Sequence, residues 1–207
     1  ALVGSLAAST STAVVFFSED FEGLTLGPNV DEGLPNANAF THAPPAGWSI
    51  VNNLPGEGQG DGIGVFEWEG WSFADRYWWV STAGDQQRSQ FSSASGTVAV
   101  ADPDEWDDRG SPASLGTYNT FLSTGPISLA GVSPNTLRLR FDSSWRDEDN
   151  QRVNITVSYD GNPAIEILRW TSTAGPDFHD DAPNESIDLA LNNPQGAANA
   201  VITWGME

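Results

Sequence analysis

Leu137-Arg138-Leu139-Arg140-Phe141-Asp142 decides the fold class. Apolar side chains at 137, 139 and 141 alternate with charged ones at 138, 140 and 142, the period of two that a half-buried strand requires. Working outward, Val153, Ile155, Val157 and Tyr159 repeat the alternation. Asp160-Gly161 then supplies a hairpin turn signal into a strand at residues 164–170. Ile187, Leu189 and Leu191 mark another strand, closed by Asn192-Asn193-Pro194 and Gly196 before a last one at 200–204.

Toward the N-terminus, strands are predicted at 13–17, 47–51, 63–68, 96–101 and 119–123, the last continuing to 129. The one helical stretch expected is a turn or two around 73–79. Long loops at 27–45 and 102–115 and the Gly-rich run from Gly56 to Gly64 separate them. Many short strands punctuated by Gly, Pro and Asn, with hardly any helix, predict an all-β fold: a two-sheet antiparallel β-sandwich, with the jelly roll as the best single architecture. An immunoglobulin-like sandwich is the alternative, weakened by the long loops and the missing Cys…Trp…Cys spacing.

With 207 residues and 22.1 kDa, the chain is long enough for one sizeable domain, taken as residues 14–207. Residues 1–13 are small, uncharged and of low complexity, and read as the remnant of an export signal or as a linker. Nine Trp and ten Phe exclude a disordered acidic chain. The absence of Cys removes disulfides, thiolate metal sites and a cysteine nucleophile; His42 and His179 alone cannot make a three-histidine metal site. Against 28 acidic residues stand eight basic ones, all Arg, for a net charge of −20. Such a surface repels polyanions, so nucleic acid and anionic membranes are poor partners. It stays soluble where salt shortens the Debye length to roughly 3 Å near 1 M, which points to a secreted, marine or saline setting. No apolar run reaches the ~20 residues needed to cross a bilayer as a helix.

Motifs for nucleophilic or phosphate chemistry are missing: no Gly-x-Ser-x-Gly, no Gly-x4-Gly-Lys-Ser/Thr, no His-Glu-x-x-His. Glu67 and Glu69 flank Trp68 and offer a carboxylate pair for glycoside hydrolysis, although 28 acids make a chance pair common. A hard-cation site is the stronger chemistry. Asp102-Pro103-Asp104-Glu105-Trp106-Asp107-Asp108 puts five carboxylates in seven residues after a strand, and Ser18-Glu19-Asp20-Phe21-Glu22 puts three in five. Ca²⁺ takes six to eight oxygens, so Asp20, Glu22, Asp102, Asp104 and Asp108 are the candidate ligands of a structural calcium. The competing reading is a solvated acidic loop. Trp71, Trp79, Trp106 and Trp145 are the candidate ligand-contact rings, since aromatic faces beside carboxylates hold sugar rings; core packing is the competing reading for at least half of the Trp residues. Arg146 and Asp142 flank Ser143-Ser144-Trp145 and read as a charged loop with local ion pairs.

Phe17-Ser18-Glu19-Asp20-Phe21-Glu22-Gly23, Pro45-Ala46-Gly47-Trp48-Ser49-Ile50, the Trp-rich stretch to Trp79, and Thr120-Phe121-Leu122-Ser123-Thr124-Gly125-Pro126-Ile127-Ser128-Leu129 follow one another in an order that resembles the choice-of-anchor J or cleaved-adhesin domains. Those are similar in turn to MAM domains. The resemblance implies a non-catalytic jelly-roll module of secreted bacterial multidomain proteins, serving adhesion or carbohydrate binding. It also implies a cation near the first Phe-Glu strand, at Glu22 and Asp20. Modules of this kind finish with an Ile-Asp-Asp/Asn-Ile-like strand that does not occur before Glu207, so the resemblance implies a fold lacking a final strand, or one that takes it from elsewhere.

These readings together predict a calcium-stabilised extracellular accessory module that attaches a larger protein to a polysaccharide or cell-surface glycan. Two alternatives come from other classes: a small glycoside hydrolase using Glu67 and Glu69, and a structural assembly subunit whose open sheet edge accepts a strand from another chain.

Overall fold

A computed structural model describes residues 14–55, 63–82, 84–108, 118–148 and 150–207. In chain order the strands are β1 (Phe40–Thr41), β2 (Ser49–Asn52), β3 (Ser72–Asp75), β4 (Thr97–Val100), β5 (Thr120–Ser123), β6 (Ile127–Ser128), β7 (Arg138–Trp145), β8 (Arg152–Tyr159), β9 (Ile165–Thr171), β10 (Ala182–Ala190) and β11 (Asn199–Met206). Two short helices, α1 (Arg76–Thr82) and α2 (Pro103–Asp107), and 3-10 turns at Phe66–Trp68 and Arg88–Gln90 complete the elements.

All strand pairings are antiparallel, as the alternation predicts, but the strands divide among three sheets. The largest runs β2-β5-β11-β8-β9, with β6 on β11; the others are β1-β3-β4 and β10-β7. None is closed, so the two-sheet arrangement expected from the sequence is present only as its antiparallel, strand-dominated class. β11 sits between β5 and β8, with Trp204 opposite Leu122 on one side and Ile155 on the other. Gly205 permits that centre: a Cβ there would stand 2.9 Å from the Phe121 ring.

Two cores follow from this layout. Ile155, Val157, Leu191 and Ile202 pack with the inward face of β7, Leu139 and Phe141, so the period read in the sequence is the one that builds the interior. Each fully buried aliphatic contributes on the order of 1.5–3 kcal/mol. Trp68, Trp78, Trp79, Trp106, Val98 and Val100 form the second core around β4 and the helices.

Several local expectations change. Residues 14–17 form no strand, and 63–68 contain the 3-10 turn Phe66–Trp68. The segment around 73–79 enters as β3 before becoming α1. The acidic loop after β4 opens as α2, because Asp102 caps it by accepting the Glu105 N–H at 3.3 Å and Pro103 pre-sets its first turn. Residues 1–13 and most of the Gly-rich run, 56–62, lie outside the described residues.

Candidate cleft between the sheets

A cleft of about 650 Å³ opens between the largest sheet and the two smaller ones. Leu122, Ile155 and Met206 form part of its apolar lining, and β4 and β7 contribute Thr97 to Val100 and Arg140 to Trp145. Rings crowd it. Trp48 and Trp204 stack with centroids 5.8 Å apart and planes 6° from parallel, Phe141 meets Trp204 edge-on, and Trp145 tilts against Trp170. Trp170 in turn stacks on His179 at 4.1 Å, while the Trp145 indole N–H donates to the His179 carbonyl at 3.0 Å.

The four predicted ligand-contact rings divide. Trp71, Trp79 and Trp145 line the cleft. Trp79 and Trp145 are buried, as is Trp106, which packs against Gly64 and Tyr118. Trp71 alone of the four is half-buried, and it shares that state with Trp48, Trp170 and Trp204, which sequence reasoning did not single out.

The five predicted metal ligands are each engaged in something else, apart from Asp108, which is exposed after α2. Asp20 Oδ1 accepts the Glu22 N–H at 3.1 Å, and Glu22 Oε1 accepts the Thr97 N–H at 3.0 Å. Asp104 Oδ2 takes a hydrogen bond from Gln86 at 2.8 Å. Asp102 caps α2 and receives Arg88 at 2.7 Å. Among the described residues, no three His, Asp or Glu side chains gather where a metal ion could bind.

Arg88 is the residue the sequence reading missed. It sits 5% exposed on the 3-10 turn Arg88–Gln90, bridging Asp102 and Glu105 at 2.7 Å each and lying 5.5 Å over the Trp79 ring. Burial alone would push its guanidinium down, but Asp102 and Glu105 reverse the effect and hold it above its usual range. Burial raises Glu105 to about 7 even though Arg88 opposes the shift. Arg146 pairs locally with Glu148 at 2.5 Å, but the expected charged loop is strand as far as Trp145, and Asp142 accepts the Ser186 hydroxyl at 2.5 Å from the facing strand β10.

The Glu67 and Glu69 pair is inaccessible. Glu67 is 0% and Glu69 5% exposed. Glu67 Oε1 accepts the consecutive backbone N–H groups of Val30, Asp31 at 2.8 Å and Glu32 at 3.3 Å, an anion-holding nest built by the loop it braces. Nearby, burial raises Glu32, against the Thr82 hydroxyl bonded to it and with help from Glu67, and burial lowers His42. Comparison with known proteins finds no matching family model, no similar curated protein and no similar solved structure.

Proposed function

We propose that this chain is a non-catalytic attachment module of a secreted protein, of the adhesion type its motif order suggests, and that the cleft is its docking surface for a polysaccharide or cell-surface partner. The observation that carries the reading is the cleft itself, which joins half-buried Trp48, Trp71, Trp170 and Trp204 to polar walls. Stacking surface beside hydrogen-bonding groups is what a docking site needs and what a hydrolytic one does not suffice with. Against the hydrolase alternative counts the burial of its pair: Glu67 is 0% exposed and its Oε1 accepts backbone donors. In the jelly-roll arrangement proposed for such a module, the two smaller sheets act together as the second layer.

Ser143→Trp tests the reading by filling the cleft from β7, where Ser143 lines it. Wild type retained on an insoluble polysaccharide or on cells, with the variant washing through, is the expected result. Equal retention of both would move attachment elsewhere on the surface. Turnover of chromogenic glycosides by wild type that Glu67→Gln abolishes would replace the module with an enzyme.

A further inference from the structure

The smaller sheets each stop at the cleft with an unpaired edge. In β4, the Arg76 N–H donates to the Gly96 carbonyl, so alternation along the ladder turns Val98 and Val100 toward β3 and leaves the N–H and C=O of Thr97 and Ala99 pointing away. The Thr97 N–H is taken by Glu22; that of Ala99 has no partner among the described residues. In β7, the Leu191 N–H donates to Leu137, so Leu139, Phe141 and Ser143 face β10. The backbone groups of Arg140, Asp142 and Ser144 then point the other way, also without backbone partners among the described residues. β4 and β7 both line the cleft, whereas β3 and β10, on their far sides, contribute nothing to it. Two free edges therefore border one apolar-floored gap, the geometry that accepts an added strand.

The same molecule carries an unpaired segment suited to the gap. Val14, Val15, Phe16 and Phe17 are β-branched or aromatic, uncharged, in no strand, and 70%, 75%, 49% and 44% exposed. They lead through Glu19, Asp20, Phe21 and Glu22, which line the cleft. In its own molecule the arm does not pair with β4; Phe17 rests against Trp48 at 6.3 Å. An exposed apolar arm and an unfilled strand position on one chain are both satisfied by reciprocal exchange between two copies, which closes as a two-fold dimer.

We propose that the gap between β4 and β7 is a strand-acceptor slot, and that its occupant is the arm at residues 14–17 of a second copy of this chain. Filling it joins β1-β3-β4 to β7-β10 as one layer opposite the largest sheet. The inference rests on the cleft being a docking surface and takes its occupant to be a β-strand of this chain in place of a glycan. Because the arm is uncharged while each copy carries −20, association is opposed by repulsion and strengthens as salt screens it.

The test measures mass by light scattering after size exclusion, from micromolar to millimolar protein at low, physiological and molar NaCl. Wild type is expected to shift from 22.1 kDa toward twice that mass as concentration and salt rise. Val15→Glu with Phe16→Glu, both at exposed positions, is expected to stay monomeric with an unchanged melting temperature. A fluorescent peptide of residues 13–22 should bind that variant and lose at least tenfold in affinity to Ser144→Pro, which deletes an edge N–H on β7 alone. Wild type monomeric throughout, a dimer indifferent to the arm substitutions, or a monomer whose arm amides are protected by its own slot would each overturn the proposal. Polysaccharide retention that Ser143→Trp abolishes, with no peptide binding, would sink the strand and keep the docking cleft; failure of both would sink the two together.

Discussion

Arg88→Met removes a guanidinium from a buried acidic corner, and its cost can be worked from the structure. Asp102 and Glu105 each lose a 2.7 Å partner, and Glu105 is almost fully buried. Breaking a buried pair while leaving its anions in place costs about 3–5 kcal/mol. For 207 residues the unfolding entropy is roughly 0.4 kcal/mol/K, so the melting temperature should fall by about 7–12 °C at pH 8. The pH dependence is the sharper part. Glu105 is raised in the fold to about 7 from an ordinary 4.5, so the unfolded chain releases this proton first as pH rises. Stability tied to protonated Glu105 is complete below about 4.5 and is lost as pH climbs to about 7, a span worth roughly 3 kcal/mol. Without Arg88 the carboxyl rises further and the loss extends above 7. The variant's deficit should thus be largest near pH 8 and shrink toward pH 5, where Glu105 is neutral and Asp102 alone misses its partner. Calorimetry of both proteins at the two pH values decides it. A deficit below about 1 kcal/mol at pH 8, or an equal deficit at both, would refute the buried ion-pair account.

Glu67→Gln keeps an oxygen for the Val30, Asp31 and Glu32 N–H groups but exchanges charge-assisted bonds for neutral ones, and should cost about 1–2 kcal/mol in urea denaturation. Gly96→Ala meets two obstacles, a backbone φ of +61° and a Cβ overlapping the Glu22 carboxylate. It should destabilise by at least ~1 kcal/mol and expose the Thr97 amide to hydrogen exchange, whereas a neutral variant would mean that Glu22 does not hold that edge. Excess EDTA is expected to leave the melting temperature within about 1 °C of its value in calcium; a site held at 100 times its Kd would add about 2.7 kcal/mol, roughly 6 °C here, and a rise of that size would show that donors converge after all.

Strands β7, β8 and β10 were legible because alternation is a local signal that survives when one face is buried along most of the strand, whereas β9, whose burial does not alternate, was reached through the Asp160-Gly161 turn before it. β3 was not: Ser72, Phe73 and Ala74 are buried in succession, so no alternation shows. The start of α2 carried a readable signal, an Asp-Pro-Asp-Glu opening that fits a capped helix as well as it fits an acidic loop. Arg88 carried none, since its partners lie 14 and 17 residues away and only the fold brings them together. The cleft is likewise a property of pairing: nothing in the residues of β4 or β7 says which edge goes unpartnered.

The surplus of carboxylates has a structural use that metal-ligand counting overlooks. A fold with long loops leaves many backbone N–H groups outside any ladder, and each must find an acceptor. Here acids supply them: Glu67 holds three consecutive donors at 30–32, Asp160 takes Ala198 and Asn199, Glu22 takes Thr97, Asp85 takes Ser89 and Asp102 caps α2. A carboxylate so engaged is held in place by the backbone it serves, so acids that are neighbours in sequence are aimed by different segments of chain. Glu22 shows the consequence for the site. By occupying the Thr97 N–H it closes one end of the β4 edge and leaves the Ala99 N–H without a partner among the described residues, the point at which the proposed incoming strand would begin to pair.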